Sequence, residues 1–311
     1  MIRASIVVPC YNEEAVLHET ARQLCGRLEA LTDAGAITAD SAVYFVDDGS
    51  KDKTWELIEQ LAASNPRIRG IKLSRNRGHQ NALLAGLFSA PGDAIISVDA
   101  DLQDDPAAID DMVRAHAAGA DVVYGVRRSR STDTAFKRVS ALGYYRVLDA
   151  LGVDIVYNHA DYRLLSRRVV SALKEYRESN LFLRGIIPHL GFNSATVYYN
   201  RSERFAGESK YPLRRMISFA LQGVTSFSAA PLRAITAIGF FVAMLSIAGA
   251  MWALWERIGN DRVVPGWASI LVPVFFLGGV QMLCLGVIGE YVAKIYMESK
   301  HRPRYIIERE V

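Results

Sequence analysis

The sequence predicts an α/β domain with a mostly parallel sheet, followed by helices that associate with a membrane. Over residues 1 to about 130, short β-rich apolar runs alternate with stretches of helical periodicity, as expected of successive βαβ units. Two uncharged stretches near the C-terminus each reach the roughly 20 residues that span a bilayer core. Hydrophobic residues make up 50% of the 311 residues, a high share for a purely soluble enzyme.

Five strands are predicted in the first part of the chain, at residues 5–9, 43–46, 68–73, 94–98 and 121–126. Apolar residues at helical spacing predict four helices between them, at residues 14–31, 54–63, 80–88 and 107–118. Ligands of such sheets bind beyond the carboxyl ends of the strands. Polar clusters follow four of these strands, so we expect a binding site at that edge. The clusters are residues 11–13, 47–50, 75–79 and 99–101.

The next part of the chain continues the same domain. Residues 131–200 mix helical patterns with two short β-like segments, 160–165 and 194–199, and contain no obvious linker. A polar, glycine-containing loop follows at 202–211. We therefore expect residues 1–211 to form one domain.

The C-terminal third has the pattern of a membrane hairpin. Residues 212–231 form a predicted juxtamembrane amphipathic helix, and 235–254 and 267–289 are the two predicted spans of a hairpin covering 232–293. The connector has two acidic and two basic residues, whereas basic residues flank the outer ends, at Arg214, Arg215, Arg233, Lys294, Lys300, Arg302 and Arg304. The positive-inside rule then places the N-terminal domain and the tail, residues 294–311, in the cytoplasm. We expect a two-span protein of the inner (plasma) membrane with both termini cytoplasmic, and no signal peptide.

Charge and cysteine content add two expectations. A net charge of +3 does not favour nucleic acid, and the basic residues gather beside the predicted membrane segments instead. The three cysteines show no paired spacing, which fits a reducing compartment.

Asp99 and Asp101 are the strongest candidates for a metal site. Residues i and i+2 of an extended chain face the same way, so both carboxylates can bind one hard cation where the fourth strand ends. With Gln103 nearby, the oxygen ligands suit Mg²⁺ or Mn²⁺, which would complete its shell with phosphate oxygens and water. A helix cap before Pro106 is the local alternative, but it accounts only for Asp104 and Asp105.

Two further clusters are suited to a nucleotide. Asp47 and Asp48 follow the second strand, where carboxylates can accept hydrogen bonds from a base or ribose. Pro9 is expected to end the first strand, so that Tyr11, Asn12 and Glu13 line a base or ribose pocket. Turns and helix caps are the local alternatives for both clusters.

Basic residues in two groups are suited to phosphate. Arg127, Arg128 and Arg130 follow the fifth strand, and Arg201, Arg204 and Lys210 come shortly before the first predicted span. Taken singly, such residues are usually solvated or face lipid. His79, at a predicted helix start, favours a capping or supporting role over catalysis.

Five segments in order resemble motifs of the polyprenyl-phosphate glycosyltransferases of glycosyltransferase family two, a group that includes the bactoprenol glucosyltransferases and dolichyl-phosphate mannose synthase. The resemblance covers essentially the whole chain, and the two C-terminal spans are similar to the bacterial branch. The segments are Pro9-Cys10-Tyr11-Asn12-Glu13, Val46-Asp47-Asp48-Gly49-Ser50, Asp99-Ala100-Asp101-Leu102-Gln103, Asp161-Tyr162-Arg163-Leu164-Leu165 and Gly207-Glu208-Ser209-Lys210-Tyr211.

The resemblance implies a GT-A type, Rossmann-like domain that binds a nucleotide sugar, an Asp-x-Asp site for Mg²⁺ or Mn²⁺, and inverting transfer of one sugar to a lipid phosphate. The implied metal ligands are Asp99, Asp101 and Gln103. The candidates for nucleotide-sugar binding are Pro9, Tyr11, Asn12, Glu13, Asp47, Asp48 and Asp99. The candidates for binding the acceptor phosphate are Arg127, Arg128, Arg138, Arg201, Arg204, Ser209 and Lys210.

Asp161 and Arg163 are the catalytic candidates that the resemblance implies. A phosphate monoester has its second pKa near 6, is mostly dianionic at pH 7, and needs little deprotonation to attack. We therefore expect Asp161 to orient the acceptor or Arg163 rather than to remove a proton. Relatives often have Gly and Phe on either side of this aspartate, where this chain has Ala160 and Tyr162.

The expected reaction is transfer of a hexose, with glucose from UDP-glucose the first choice, to undecaprenyl phosphate at the cytoplasmic membrane face. Other donors stay open: UDP-N-acetylglucosamine, a UDP-linked amino-arabinose or GDP-mannose. A processive polysaccharide synthase would be expected to carry a Gln-x-x-Arg-Trp segment and more predicted spans, and this sequence shows neither. A non-catalytic scaffold that binds nucleotide sugars is a further alternative, which Asp99, Asp101, Glu13 and Lys210 argue against. By analogy with relatives a tetramer is expected, in which residues 303–308 could add a strand to a neighbouring subunit.

Overall fold

The computed structural model describes residues 1–128, 159–176, 178, 183–200, 232, 235–242, 244, 248–249, 251–252 and 267–311. The chain divides into two compact units. One comprises Met1–Met216 together with Arg302–Val311, and the other comprises Ile217–His301.

The first unit is built on an eight-stranded, mostly parallel sheet, which confirms the predicted α/β class. The strands are β1 (Ala4–Cys10), β2 (Ala42–Asp47), β3 (Ile68–Leu73), β4 (Ala94–Ser97), β5 (Val122–Arg127), β6 (His159–Ser166), β7 (Ser194–Tyr199) and β8 (Ile307–Glu310). Their order across the sheet is β7-β5-β6-β4-β1-β2-β3-β8. Two strands, β6 and β8, run antiparallel to their neighbours, and the other pairs are parallel.

Helices connect and cover these strands. They are α1 (Leu17–Asp33), α2 (Thr54–Ser64), α3 (His79–Ser89), α4 (Ala108–Ala117), α5 (Arg167–Lys174) and α6 (Leu183–His189). All seven residues of β1 are buried, because β1 is central in the sheet and parallel sheets of this kind are covered on both faces. Apolar side chains from one face of β1 and β2, such as Ile6, Val8 and Phe45, therefore lie in the main core cluster together with Leu24 and Leu28 of α1.

The strand predictions for residues 1–200 are confirmed to within one residue at each end. Helix α1 begins three residues later than predicted, because the amide groups of Val16 and Leu17 first hydrogen-bond to the carbonyl oxygen of Glu13 in a turn. The expectation that Pro9 ends the first strand is wrong. Pro9 lies within β1 and pairs in register with Val46, and its missing N–H is tolerated because β4 ends at Ser97, opposite Val7.

The C-terminal segment departs from the prediction for residues 303–308. Strand β8 pairs antiparallel with β3 of its own chain, with Ile71 opposite Glu310 and Lys72 opposite Arg309. Gly70 and Val311 exchange two backbone hydrogen bonds of 2.8 and 2.9 Å. Without β8, one side of β3 would be an unpaired edge of the sheet. The segment therefore covers an edge of its own sheet, and we expected it to pair with a neighbouring subunit instead.

The second unit contains α7 (Trp267–Ser299), a 33-residue helix. Within it, Phe276–Ser299 is long and apolar enough to cross a bilayer, and among the described residues it is the one helix that meets this criterion. The helix continues ten residues beyond the predicted end of the second span, at residue 289. Of the first predicted span, residues 235–242 are described and helical. The predicted juxtamembrane helix, 212–231, lies outside the described residues.

Candidate active site

The candidate site lies at the carboxyl edge of the sheet, where β1, β2 and β4 end. Strand β6 runs antiparallel to β4, so its first residues lie beside the last residues of β4. The Ser97 hydroxyl of β4 donates to the carbonyl oxygen of Asp161 on β6 at 2.5 Å. This topology brings Asp161 to the same edge as Asp99, although the two residues are far apart in sequence.

The loops after β1 and β2 interlock at this edge. The Asn12 amide donates to the Ser50 hydroxyl at 3.0 Å, and the Asn12 side-chain oxygen accepts from the Lys51 amide at 2.9 Å. The Glu13 amide donates to the Thr54 hydroxyl at 2.9 Å. Asn12 has a φ of 57°, a backbone conformation uncommon outside glycine, and these contacts hold it there. Asn12 thus shapes the loop that presents Tyr11, which is 40% exposed.

Asp47 supplies a buried hydrogen-bond acceptor at this carboxyl edge of the sheet, which we call the mouth of the sheet. Its side chain is fully buried, and Oδ1 accepts from the Ser50 amide at 3.2 Å. Oδ2 is also buried, and no donor among the described residues reaches it. Burial raises the pKa of Asp47, because the charged carboxylate is poorly solvated there. An unsatisfied buried acceptor at a sheet mouth is suited to a ligand that brings an N–H or O–H group.

Asp48 contacts the backbone of a neighbouring loop. Its two oxygens accept from the amides of Arg77 and Gly78 at 2.7 and 2.8 Å, and burial raises its pKa. The loop comes so close that a Cβ on Gly49 would lie 2.7 Å from backbone atoms of residues 75 and 76. Asp48 therefore positions the start of α3, and its predicted contact with a nucleotide stays a prediction.

His79, the first residue of α3, lies between two acids. Its Nε2 is 3.5 Å from Oδ1 of Asp99 and 3.8 Å from Oδ2 of Asp161. Burial, together with the carboxylates of Asp161, Asp104 and Asp101, raises the pKa of Asp99 to about 6, although His79 opposes the shift. The negative charge concentrated here favours a cation.

The predicted metal ligands follow β4 in a tight loop. Gln103 is buried, its backbone N–H donates to Oδ1 of Asp101 at 3.2 Å, and Leu102 between them has a φ of 55°. Two carboxylates and a side-chain amide provide the hard oxygen ligands that Mg²⁺ and Mn²⁺ prefer, so the residues fit such an ion. Within the described part of the chain, no three His, Cys, Asp or Glu side chains converge as a preformed cage.

Asp161 is held by two arginines. Arg163, which is buried, pairs with Oδ1 through Nη2, and Arg184 contacts both oxygens. Burial alone would raise the pKa of Asp161, but Arg163 and Arg184 outweigh it and hold the pKa well below its ordinary value. Arg163 has only 1% of its surface exposed, so it can influence a substrate only through its neighbours.

Arg184 is a site residue that none of the sequence motifs indicates. It is the second residue of α6 and makes a two-point contact with Asp161, 23 positions earlier in the chain. One signal could have revealed it, since Arg184 is the single charged residue in the apolar run 181–187. A charged residue in such a run usually has a partner.

The predicted phosphate-binding residues are described only in part. Arg127 is the last residue of β5, where Nη2 donates to Asp104 at 3.1 Å and Nε donates to the Tyr199 hydroxyl at 3.2 Å. Arg128 is exposed, and its amide donates to the carbonyl oxygen of Tyr199. The other predicted residues lie outside the described part of the chain: Arg130, Arg138, Arg201, Arg204, Ser209 and Lys210.

Comparison with known proteins identifies the family. Residues 5–174 match the model of glycosyl transferase family 2. The uncharacterized glycosyltransferase YkoT of Bacillus subtilis is 50% identical over 307 residues, which cover 98% of this chain and 90% of that protein. The bactoprenol glucosyl transferase of Shigella phage SfV is 41% identical over 313 residues, 99% of each chain. Among solved structures, glucosyl-3-phosphoglycerate synthase of Mycobacterium tuberculosis is similar over 72% of this chain and 76% of that one, with 20% identity and a TM-score of 0.49. From the family match and these end-to-end relatives, we conclude that the chain belongs to glycosyl transferase family 2.

Proposed function

We propose that the protein transfers glucose from UDP-glucose to undecaprenyl phosphate, with inversion at the anomeric carbon, at the cytoplasmic face of the plasma membrane. The observation that carries the proposal is the meeting of two acids at one edge of the sheet. Asp99 lies in a negative cluster suited to a cation, and Asp161 is held as a carboxylate by two arginines. Similarity over 99% of each chain to a bactoprenol glucosyl transferase supports the choice of sugar and lipid.

The donor side uses the loops after β1 and β2. The imide N–H of uracil would satisfy the buried Oδ2 of Asp47, which no described donor reaches, once the groups that cover this fully buried carboxylate move aside on binding. Tyr11 follows Cys10, the residue that pairs with Asp47, and offers an exposed ring for the base or ribose on a loop that Asn12 holds in place. Both features favour a uridine nucleotide, and Pro9 and Glu13 lie in the same stretch of chain.

The proposed metal ligands would face the departing diphosphate. Asp99 and Asp101, with Gln103 beside them, would hold a Mg²⁺ or Mn²⁺ ion, which when bound supplies positive charge against the departing diphosphate. His79 Nε2 lies 3.5 Å from Oδ1 of Asp99 and would restrain the orientation of that carboxylate. Thus α3 and the loop after β4 together set the geometry of the acidic cluster.

The acceptor needs no base on this chain. Undecaprenyl phosphate is mostly dianionic at pH 7, so its oxygen attacks the anomeric carbon directly. A bond forms between that oxygen and the carbon, the bond from the carbon to the diphosphate oxygen breaks, and UDP leaves with the electron pair. Asp161 is a weak proton acceptor because its pKa is held well below the ordinary value. Its proposed role is to orient groups at the mouth, including Arg184 and His79.

Repulsion between the anionic acceptor and the anionic donor has to be offset. The proposed groups are Arg127 and Arg128, described at the end of β5, and the basic residues predicted at positions 138, 201, 204 and 210. The apolar segment Phe276–Ser299 supports a location at the bilayer, where a polyprenyl phosphate presents its head group. Two spans, with the N-terminal domain and both termini cytoplasmic, are part of this proposal.

A donor panel tests the proposal. The full-length protein in detergent is incubated with undecaprenyl phosphate, Mg²⁺ or Mn²⁺, and radiolabelled UDP-glucose, UDP-N-acetylglucosamine, UDP-amino-arabinose or GDP-mannose, and the lipid extract is counted. We expect label from UDP-glucose, lost with a chelator and in Asp99→Asn/Asp101→Asn. Asp111→Asn, on the outer face of α4, is the matched control and should transfer normally. Label from a different donor would overturn the choice of sugar, and donor binding without transfer from any of the four would instead indicate a binding scaffold.

A further inference from the structure

Asp104 joins the predicted metal loop to two other strands. It is 2% exposed and directly follows Gln103. Its Oδ1 accepts from the Tyr199 hydroxyl at 2.5 Å and from Nη2 of Arg127 at 3.1 Å. Nε of Arg127 donates to the same hydroxyl at 3.2 Å, which closes a three-membered network.

We propose that Asp104 is a positioning residue of the transfer reaction, which fixes the Arg127 guanidinium against the loop carrying Asp99, Asp101 and Gln103. The inference rests on the function proposed above. It differs from the expected helix-capping role, since Oδ1 of Asp105, and not Asp104, accepts from the Ala107 amide at the start of α4.

The chemistry of the network supports a fixed arginine. Burial and the neighbouring Asp104 raise the pKa of the Tyr199 hydroxyl well above its ordinary value, so it stays protonated and donates. A buried carboxylate is costly unless it is paired, and Arg127 provides the compensating charge. Arg127 keeps 24% of its side chain exposed, so a phosphate at the mouth can still reach it.

The network of Asp104, Arg127 and Tyr199 lies where two strands end. Arg127 ends β5 and Tyr199 ends β7, and those two strands are parallel neighbours. The chain leaving each strand leads to residues predicted to bind the acceptor phosphate, Arg138 after β5 and Arg201 after β7. Asp104 therefore anchors the ends of β5 and β7 to the loop that carries the predicted metal ligands.

A second tyrosine provides a matched control. Tyr162 is fully buried, its hydroxyl donates to the carbonyl oxygen of Asp105 at 3.0 Å, and its ring meets that of Tyr199 edge to face at 5.3 Å. Tyr162→Phe removes a hydrogen bond to the same loop but leaves the contact between Asp104 and Arg127 in place. Comparing Tyr162→Phe with Asp104→Asn therefore distinguishes a general loss of support for the loop from a loss of positioning of Arg127.

The test compares Asp104→Asn, Tyr199→Phe and Tyr162→Phe in the full-length enzyme, together with Arg127→Gln and the double variant Asp104→Asn/Arg127→Gln. In Asp104→Asn we expect the KM for undecaprenyl phosphate to rise about tenfold, because a guanidinium without its anchor must be ordered on binding. The dissociation constant for UDP in Mn²⁺, measured by calorimetry, should change less than about threefold. Adding Asp104→Asn to Arg127→Gln should raise the KM little beyond that of Arg127→Gln alone, since Asp104 acts through Arg127 and the two effects are not additive.

The controls make the outcome decisive. Tyr162→Phe should leave the KM for the acceptor unchanged, and Tyr199→Phe, which keeps the ion pair, provides a milder version of the effect if Asp104→Asn does not fold. Absence of transfer by the wild-type enzyme would overturn the proposed function. Normal wild-type transfer with an unchanged KM in Asp104→Asn, or fully additive effects in the double variant, would overturn this inference alone.

Discussion

Arg184 contacts Asp161 at two points, with Nε 3.2 Å from Oδ1 and Nη2 3.0 Å from Oδ2. The same carboxylate pairs with the buried Arg163 and lies 3.8 Å from Nε2 of His79. Three positively charged or titratable groups thus surround one acid at the mouth of the sheet. An acid stabilised in this way is suited to orienting its neighbours and poorly suited to removing a proton.

Asp161→Asn should abolish most activity, and raising the pH should not restore it. A general base could be replaced in part by a higher concentration of deprotonated acceptor, whereas an orienting carboxylate could not. The measurement is a pH–rate profile of the variant against the wild type. Recovery of the rate at high pH would show that Asp161 is a base.

The same substitution should destabilise the fold by about 3–5 kcal/mol, because the buried Arg163 would lose its partner. Folding lowers the pKa of Asp161, so the stability that the pair contributes is complete above the ordinary value of 3.8 and is lost as the pH falls below it. Denaturant unfolding should show a constant difference between wild type and variant over about pH 5–8 and a shrinking one below about pH 4. Asp161→Asn/Arg163→Met should recover part of the lost stability, and no recovery would argue against the pairing.

Arg184→Gln should lower kcat/KM about tenfold, since it removes a two-point, charge-assisted contact to Asp161. The matched control is Arg168→Gln. Arg168 pairs with Asp121 at the opposite end of β5 and β6, away from the mouth, so its loss should leave kcat/KM unchanged. Equal losses in the two variants would indicate a general effect of removing positive charge.

Asp47→Asn should stabilise the ligand-free protein at neutral pH while weakening the binding of UDP. The wild-type carboxylate is fully buried, and one of its oxygens has no donor within the described residues. Burial raises the pKa of Asp47, so ionising this carboxyl destabilises the folded wild type increasingly as the pH rises above the ordinary value of 3.8. The greater stability of the Asp47→Asn variant should therefore shrink as the pH falls towards that value. Thermal unfolding at several pH values, with calorimetry for UDP, measures both effects, and a less stable variant at neutral pH would contradict the prediction.

Gly70→Ala should loosen β8. A Cβ at this position would lie 2.5 Å from Cγ2 of Ile58 and 2.8 Å from Cγ2 of Val311, so the last residue of the chain has to move. We expect a loss of about 1–3 kcal/mol and faster amide exchange over residues 306–311. In contrast, Gly26→Ala, in α1 with nothing within 4 Å of the new Cβ, should stabilise by about 0.5–1 kcal/mol. Unchanged exchange at 306–311 in Gly70→Ala would show that Val311 does not need that space.

Much of the fold was predictable because its signals are local. Strands such as β3 and β7 are short apolar runs between turn residues, and their bounds match the prediction. The edge that carries the site followed from the polar residues after successive strands, and structure brings Asp47, Asp99 and Asp161 to that edge.

Other features depended on partners that no local pattern specifies. In the sequence Asp48 has the features of a ligand-binding residue, yet its carboxylate oxygens accept hydrogen bonds from the backbone N–H groups of Arg77 and Gly78. Arg127 resembles a solvent-facing phosphate ligand in the sequence, yet it is bonded to Asp104 and Tyr199. Neither pairing could be inferred, because each joins residues brought together only by strand order.

The sequence by itself determined the α/β class, the boundaries of most strands, the acidic pair at the end of β4 and the apolar helix near the C-terminus. These features depend on the period of apolar residues and on residue chemistry within short windows. Only the tertiary structure decided that β6 runs antiparallel between β4 and β5, that β8 returns to cover β3, and that Arg184 meets Asp161. Such pairings join distant segments, and the packing of the whole sheet selects among many chemically equivalent partners.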